Sequence, residues 1–249
     1  MKTILLLLAL VFGQLALLGN TSRKDTLRTN QELKFKPAAL AVSSALITFG
    51  VIGLESDFIK DLNSEVSEEI TEHIDKRFTI DDFSQYAPFV SVYALNLAGV
   101  EGKHNFRDRT TILATAYLLM GSTVTILKNS TNILRPDGSS QNSFPSGHTA
   151  TAFMGAEFLY QEYKDVSVWY GISGYLVAAG TGFFRMYNNR HWLTDVATGA
   201  GIGMLSTKIA YWVHPFIRNT LFKGSDNISG CIVPYYNGEQ MGLGMAFTF

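Results

Sequence analysis

Ser143-Phe144-Pro145-Ser146-Gly147-His148-Thr149 is the stretch on which the fold turns. Pro145 and Ser146 suit the entry to a helix, where proline forfeits no hydrogen bond and a serine hydroxyl caps an orphan N–H. The run that follows, to about residue 160, is helix-compatible and carries one acid, Glu157. The first N–H groups of such a helix have no internal acceptor, and groups of that kind bind phosphate oxygens. Gly147 lets a ligand come close to the backbone. His148 titrates near neutrality and can give or take a proton. Taken alone, these seven residues read equally well as a capped helix start with an incidental histidine.

Upstream lies Lys128-Asn-Ser-Thr-Asn-Ile-Leu-Arg135-Pro136. Lys128 and Arg135 are about two helical turns apart and so share a face. Pro136 disfavours helical geometry at Arg135, so the helix is expected to end there. Two cations at such a junction suit an anion, although alone they also read as a basic cap on a helix C-terminus. Downstream lies Arg185-Met-Tyr-Asn-Asn-Arg-His191-Trp-Leu-Thr-Asp195. His191 and Asp195 are four residues apart, neighbours on one helix face. A carboxylate against one imidazole nitrogen fixes the tautomer and leaves the other nitrogen to attack. Alone, that pair also reads as a helix-start ion pair.

Together the three blocks supply two histidines, one orienting carboxylate, three cations and a small-residue turn. That is the inventory for in-line attack on a phosphate monoester. His191 is expected to be the nucleophile and to form a phosphohistidine, with Asp195 orienting it. Lys128, Arg135, Arg185 and the Ser146–Gly147 turn are expected to hold the equatorial oxygens, where transition-state charge is spread. His148 is expected to protonate the leaving alcohol and then activate water. No metal and no cofactor is called for.

The spacings K-x6-R-P, P-S-G-H and R-x5-H-x3-D, carried by residues 128–195, resemble the three-part signature of the type 2 phosphatidic acid phosphatase family, which shares a superfamily with vanadium haloperoxidases. The resemblance extends over about 37–213. It implies an all-α fold with a six-helix core, a phosphohistidine intermediate and no metal requirement, and it assigns the same roles to the residues above. One departure stands out: Phe184 occupies the position before Arg185 where the family usually has serine. The implied effect is tuning of activity rather than its loss.

Outward from the motifs, apolar segments fall at about 37–54, 87–100, 111–127, 166–184 and 196–213. A membrane span needs about 20 apolar residues, with about 17 as the lower limit. By that measure 37–54, 111–127 and 166–184 qualify, and the bundle is expected to be membrane-embedded. Residues 55–86 hold ten carboxylates, and the spacing of Phe58, Leu62, Val66 and Ile70 predicts an amphipathic helix there. Residues 102–110, 161–165 and those after 213 carry Lys103, Arg107, Arg109, Lys164, Arg218 and Lys223. The positive-inside rule puts them on the cytoplasmic side and the motif loops outside. The basic segment 20–36 fits that arrangement poorly.

The chain divides into an apolar start at 1–19, a basic linker at 20–36, the helical phosphatase domain at 37–223 and a Gly-rich tail at 224–249. Lys2 followed by an apolar run to Leu18 reads as a signal peptide or N-terminal anchor, and so as export to the cell envelope. The tail reads as one short strand or, in preference, an irregular segment. Charged residues make up 16% of the 249 and the net charge is −1, which excludes a nucleic-acid footprint and favours a membrane. The single cysteine allows no internal disulfide.

These features predict a phosphatase acting on a phosphorylated lipid of the envelope, with the active site on the periplasmic side. A soluble periplasmic acid phosphatase of broad specificity is the alternative. A vanadium-dependent haloperoxidase is more remote, since the chain is short for that group.

Overall fold

The computed structural model describes residues 37–72, 78–221, 229–236 and 241–248. The N-terminal run 1–19 and the linker 20–36 lie outside these residues. After a 3-10 turn, Pro37–Leu40, eight helices follow: α1 (Ala41–Ile52), α2 (Asp57–Thr71), α3 (Ile80–Ser84), α4 (Ala87–Leu97), α5 (Phe106–Thr131), α6 (Gly147–Tyr163), α7 (Val168–Tyr187) and α8 (Leu193–Leu221). Helices α1 and α4 to α8 pack as the six-helix core, and α2 and α3 touch α7 and α8 near the motifs. The all-α, six-helix expectation matches this body of the protein.

Helix α6 is the central element. Ala150, Ala152, Met154, Ala156 and Phe158 are all fully buried. Its contact with α8 depends on small residues at a helical spacing. A Cβ on Gly199 would lie 2.4 Å from the Ser146 carbonyl oxygen, and one on Gly203 would lie 2.2 Å from that of Ala150. No side chain fits at either position, so the two backbones touch there. This close approach locks the start of α6, which carries Ser146 to His148, against the start of α8, which carries Asp195.

Both ends of the bundle are polar, in different ways. At one end the C-terminus of α5, the start of α6, the end of α7 and the start of α8 bring the three motifs together. At the other, Lys103 N donates to the Glu162 carbonyl (3.0 Å), and Arg218 lies 3.9 Å from Asp108. Lys103, Arg107, Arg109 and Arg218 thus gather away from the motifs, as the charge pattern predicts. Between the ends, α5 leaves Leu118, Ile126 and Tyr117 exposed.

Three sequence expectations need correction. Among the described residues, only α5 is long and apolar enough to cross a membrane. Segment 166–184 forms α7, but Trp169, Tyr170, Ser173 and Tyr175 dilute its apolar character. Segment 37–54 becomes α1, which qualifies only together with α2 across a 98° bend. The helix of the first motif ends at Thr131 rather than Arg135, because Asn132 adopts a left-handed cap (φ 50°). Finally, the tail pairs with itself: Ser229–Tyr236 (β1) runs antiparallel to Met241–Thr248 (β2), with Val233 opposite Gly244. Ile232, Val233, Tyr235 and Tyr236 form a second β-prone run that a single-strand reading overlooks.

Candidate active site

The centre of the site is buried. His191, in the turn between α7 and α8, is 3% exposed, and Asp195, in the first turn of α8, is 1% exposed. Asp195 Oδ2 gathers three donors: the Ser143 hydroxyl at 2.5 Å, the Trp192 N–H at 2.9 Å and His191 Nδ1 at 3.3 Å. A carboxylate at this position requires the proton on Nδ1, which leaves His191 Nε2 as the lone-pair nitrogen. Nε2 makes no hydrogen bond to any described residue. Burial pushes the His191 imidazole down to about 4 despite the bond and charge of Asp195, and Arg185 and Lys128 push the same way. The ring is therefore neutral from mildly acidic pH upward.

Cations surround this pair. Lys128, in the last turn of α5, donates to the carbonyls of Asn142 (2.5 Å) and Ser143 (3.4 Å), so the ammonium reaches across to the loop before α6. Arg135 lies in that loop. Its burial and the like charges of Arg185 and Arg190 lower its affinity for a proton. A cavity of about 360 Å³ is lined by Phe78, Thr79, Asp81, Asp82, Arg135, His148, Arg185, Asn188 and Arg190. Two predicted phosphate-binding arginines and the predicted acid–base histidine thus share one cavity, with Arg190 in addition. His191, Asp195, Lys128, Ser146 and Gly147 are not among its lining residues.

The start of α6 behaves only partly as the sequence predicts. Ser146 is the N-cap, its hydroxyl 3.4 Å from Thr149 N and 2.8 Å from the Thr149 hydroxyl. Its own N–H donates to the Asp195 carbonyl at 3.0 Å and is not available to an anion. Among the described residues, the Gly147 and His148 N–H groups have no acceptor, and those are the donors left for phosphate. Only Val124 stands near a Cβ built on Gly147, at 3.8 Å, so protein packing does not require glycine there.

Sequence reasoning missed Ser143, Asp81, Asp82, Asn188 and Arg190. Asp81 Oδ2 accepts from Arg185 Nη1 at 2.6 Å and Asp81 Oδ1 from Asn188 Nδ2 at 3.0 Å; the carboxylate is almost fully buried. Asn188 also bonds the backbone N–H and carbonyl of Phe78, and Ser84 bonds Thr181, so α3 is clamped onto α7. Arg190 Nη1 donates to Asp137 at 3.0 Å. Asp81, Asp82 and His148 each present one ligand-type atom within 4.8 Å of the others, which a cation would fit, but the Arg185 guanidinium already neutralises Asp81. Phe184 packs edge-on against Phe78 and Tyr187, which puts an aromatic wall where a serine hydroxyl is usual.

Residues 109–219 match the PAP2 superfamily model, a stretch that contains all three motifs. The lipid A 1-phosphatase of Porphyromonas gingivalis is 36% identical over 195 residues, which is 78% of this chain and 40% of that protein. The chain therefore spans well under half the length of this curated relative. Two solved structures are also similar. Aquifex aeolicus LpxE is 25% identical, with 60% of this chain and 94% of that one covered and a TM-score of 0.47. A transmembrane PAP2-type phosphatidylglycerolphosphate phosphatase from Bacillus subtilis is 18% identical, with 71% and 97% covered and a TM-score of 0.48.

Proposed function

Because this chain belongs to the PAP2 superfamily, we propose that it is a phosphatase that removes phosphate from a phosphorylated lipid through a covalent phosphohistidine at His191. The observation that carries the chemistry is the tautomer. Ser143, the Trp192 N–H and His191 Nδ1 converge on one oxygen of Asp195, which directs the Nε2 lone pair away from that cluster. Arg135 and Arg185 supply the charge that a transferring phosphoryl group needs on its equatorial oxygens. Gly147 and His148 add backbone donors, and Lys128 sets the loop that carries Ser143. His148 protonates the leaving oxygen, and then, as a base, delivers water to the phosphohistidine.

A lipid substrate is favoured by the surroundings of the site. Phe78, Ile80 and Phe83 are half or more exposed beside the cavity, and α5 presents an uncovered apolar face. The similarity to a lipid A 1-phosphatase points to an envelope glycolipid phosphate as the first substrate to try. Membrane insertion through α5 and its neighbours, with the motif end outside, is supported by the gathering of Lys103, Arg107, Arg109 and Arg218 at the opposite end. The apolar N-terminal run would address the chain to the envelope.

The test is a substrate panel with purified protein in detergent: lipid A, phosphatidic acid, phosphatidylglycerolphosphate and a water-soluble aryl phosphate, each with and without EDTA. The expected result is phosphate release from at least one lipid, faster than from the aryl ester and unchanged by EDTA. Preference for the soluble ester in the absence of detergent would favour the soluble acid phosphatase. Abolition by EDTA, restored by a divalent cation, would move the chemistry to a metal held by Asp81, Asp82 and His148.

A further inference from the structure

Asp82 stands in no motif and comes from a helix that the three-block pattern does not include. Its carboxylate is half-exposed at the cavity, 3.0 Å from His148 Nε2 and 3.8 Å from Arg185 Nη1. Its neighbour Asp81 is buried and fully occupied by Arg185 and Asn188, so the two adjacent acids have different tasks. Asp81 anchors α3. Asp82, held in place by that anchor and by the Ser84–Thr181 bond, faces His148.

We propose that Asp82 is the positioning residue of the general acid: it binds His148 at Nε2, turns Nδ1 toward the leaving oxygen and favours the protonated ring. This rests on the reading of His148 as the acid in a phosphatase. The geometry supplies the first part directly. Nε2 is committed to Asp82, and Nδ1 has no hydrogen bond to any described residue, so Nδ1 is the nitrogen left to meet substrate. The charge balance supplies the second. The charged groups that share the cavity with His148 are Arg185 from α7, Asp81 and Asp82 from α3, and Arg135 and Arg190 from the loops. Burial and Arg185 drive the ring toward its neutral form, and the bond and charge of Asp82 oppose them most strongly. The net shift is downward even so, and loss of Asp82 would remove the largest contribution that opposes it. The same bond couples α3, with its exposed Ile80 and Phe83, to the chemistry.

The experiment is Asp82→Asn, with Asp82→Glu as the conservative partner. Asparagine keeps the size and an acceptor oxygen but removes the charge. Two readouts are taken: pH profiles of kcat on substrates with good and poor leaving groups, and the NMR titration of His148. The chain has five histidines, and His148 is identified by the signal missing from His148→Gln. The expected result for Asp82→Asn is a titration midpoint lower by about one pH unit, and an alkaline limb of kcat displaced the same way. Poor leaving groups should lose on the order of tenfold or more near neutral pH, and good ones little. Asp82→Glu should recover most of both. An unmoved midpoint and limb would overturn the proposal. So would a lower KM with undiminished kcat, because that would make Asp82 only an internal anion competing with phosphate. If the wild-type chain released phosphate from nothing, the functional reading would fall, while the midpoint would still decide the role of Asp82.

Discussion

His191→Ala is expected to reduce phosphate release to background, a loss on the order of 10⁶-fold, as with deletion of a nucleophile in other covalent hydrolases. The reason is positional as well as chemical. His191 is buried, its Nδ1 is tied to Asp195, and no other described residue offers an imidazole nitrogen next to Arg185 and Lys128. His148 sits at the cavity with its Nε2 engaged by Asp82 and is assigned to the leaving group rather than to the attack. The measurement is single-turnover phosphate release, accompanied by a thermal melt to establish that the variant is folded. Activity within tenfold of wild type in a folded variant would remove His191 from the mechanism.

Asp195→Asn is expected to keep substrate binding and lower kcat by about 10³- to 10⁴-fold, the scale seen when the orienting carboxylate of a triad is neutralised. The structure makes this substitution informative. Only Oδ2 of Asp195 is used by Ser143, Trp192 and His191, while Oδ1 is buried without a partner. An asparagine can put its carbonyl oxygen in the Oδ2 position and keep all three bonds. What it removes is the negative charge that stabilises the imidazolium once the phosphoryl group is attached. The pH profile gives a second reading. In the wild type, the acid limb is expected at about pH 4, where His191 takes up a proton, because burial lowers its pKa. Asp195 opposes that lowering, so its neutralisation should move the acid limb to still lower pH while the plateau falls. A plateau within a few-fold of wild type would mean that the charge of Asp195 does not matter.

The helical bundle and most of the site are legible in the sequence because they are local. Ser146-Gly147-His148 forms a helix start that its own residues encode, and His191 with Asp195 is an i, i+4 pair. Gly199 and Gly203 are spaced for close approach of α8 to another helix, although the sequence does not say which one. What the sequence hides is long-range. Asp81 and Asp82 sit in an acidic segment that looks like a solvated face, yet they meet Arg185 and His148 across 104 and 66 residues of chain. Ser143 opens the second motif but looks like loop padding until Asp195 is seen beside it. The end of α5 is obscured because Pro136 is a stronger sequence signal than a left-handed Asn132. Helix rules leave the first N–H groups free and cannot foresee that the Ser146 N–H meets the carbonyl of Asp195. α7 reads as a span in the sequence because it carries as many apolar residues as a membrane helix, but it mixes them with Trp, Tyr and Ser.

The central claim is that the phosphoryl group passes through His191, and trapping it there is the most direct measurement. The purified chain would be mixed with its best lipid phosphate, quenched in alkali, where phosphohistidine survives, digested, and its phosphorylated peptides identified by mass spectrometry. The account predicts a phosphoryl group on His191 that appears within one turnover and is absent from His191→Ala. A phosphoryl group on Ser143, Ser146 or His148 instead, or rapid phosphate release with no labelled residue at any time, would contradict it.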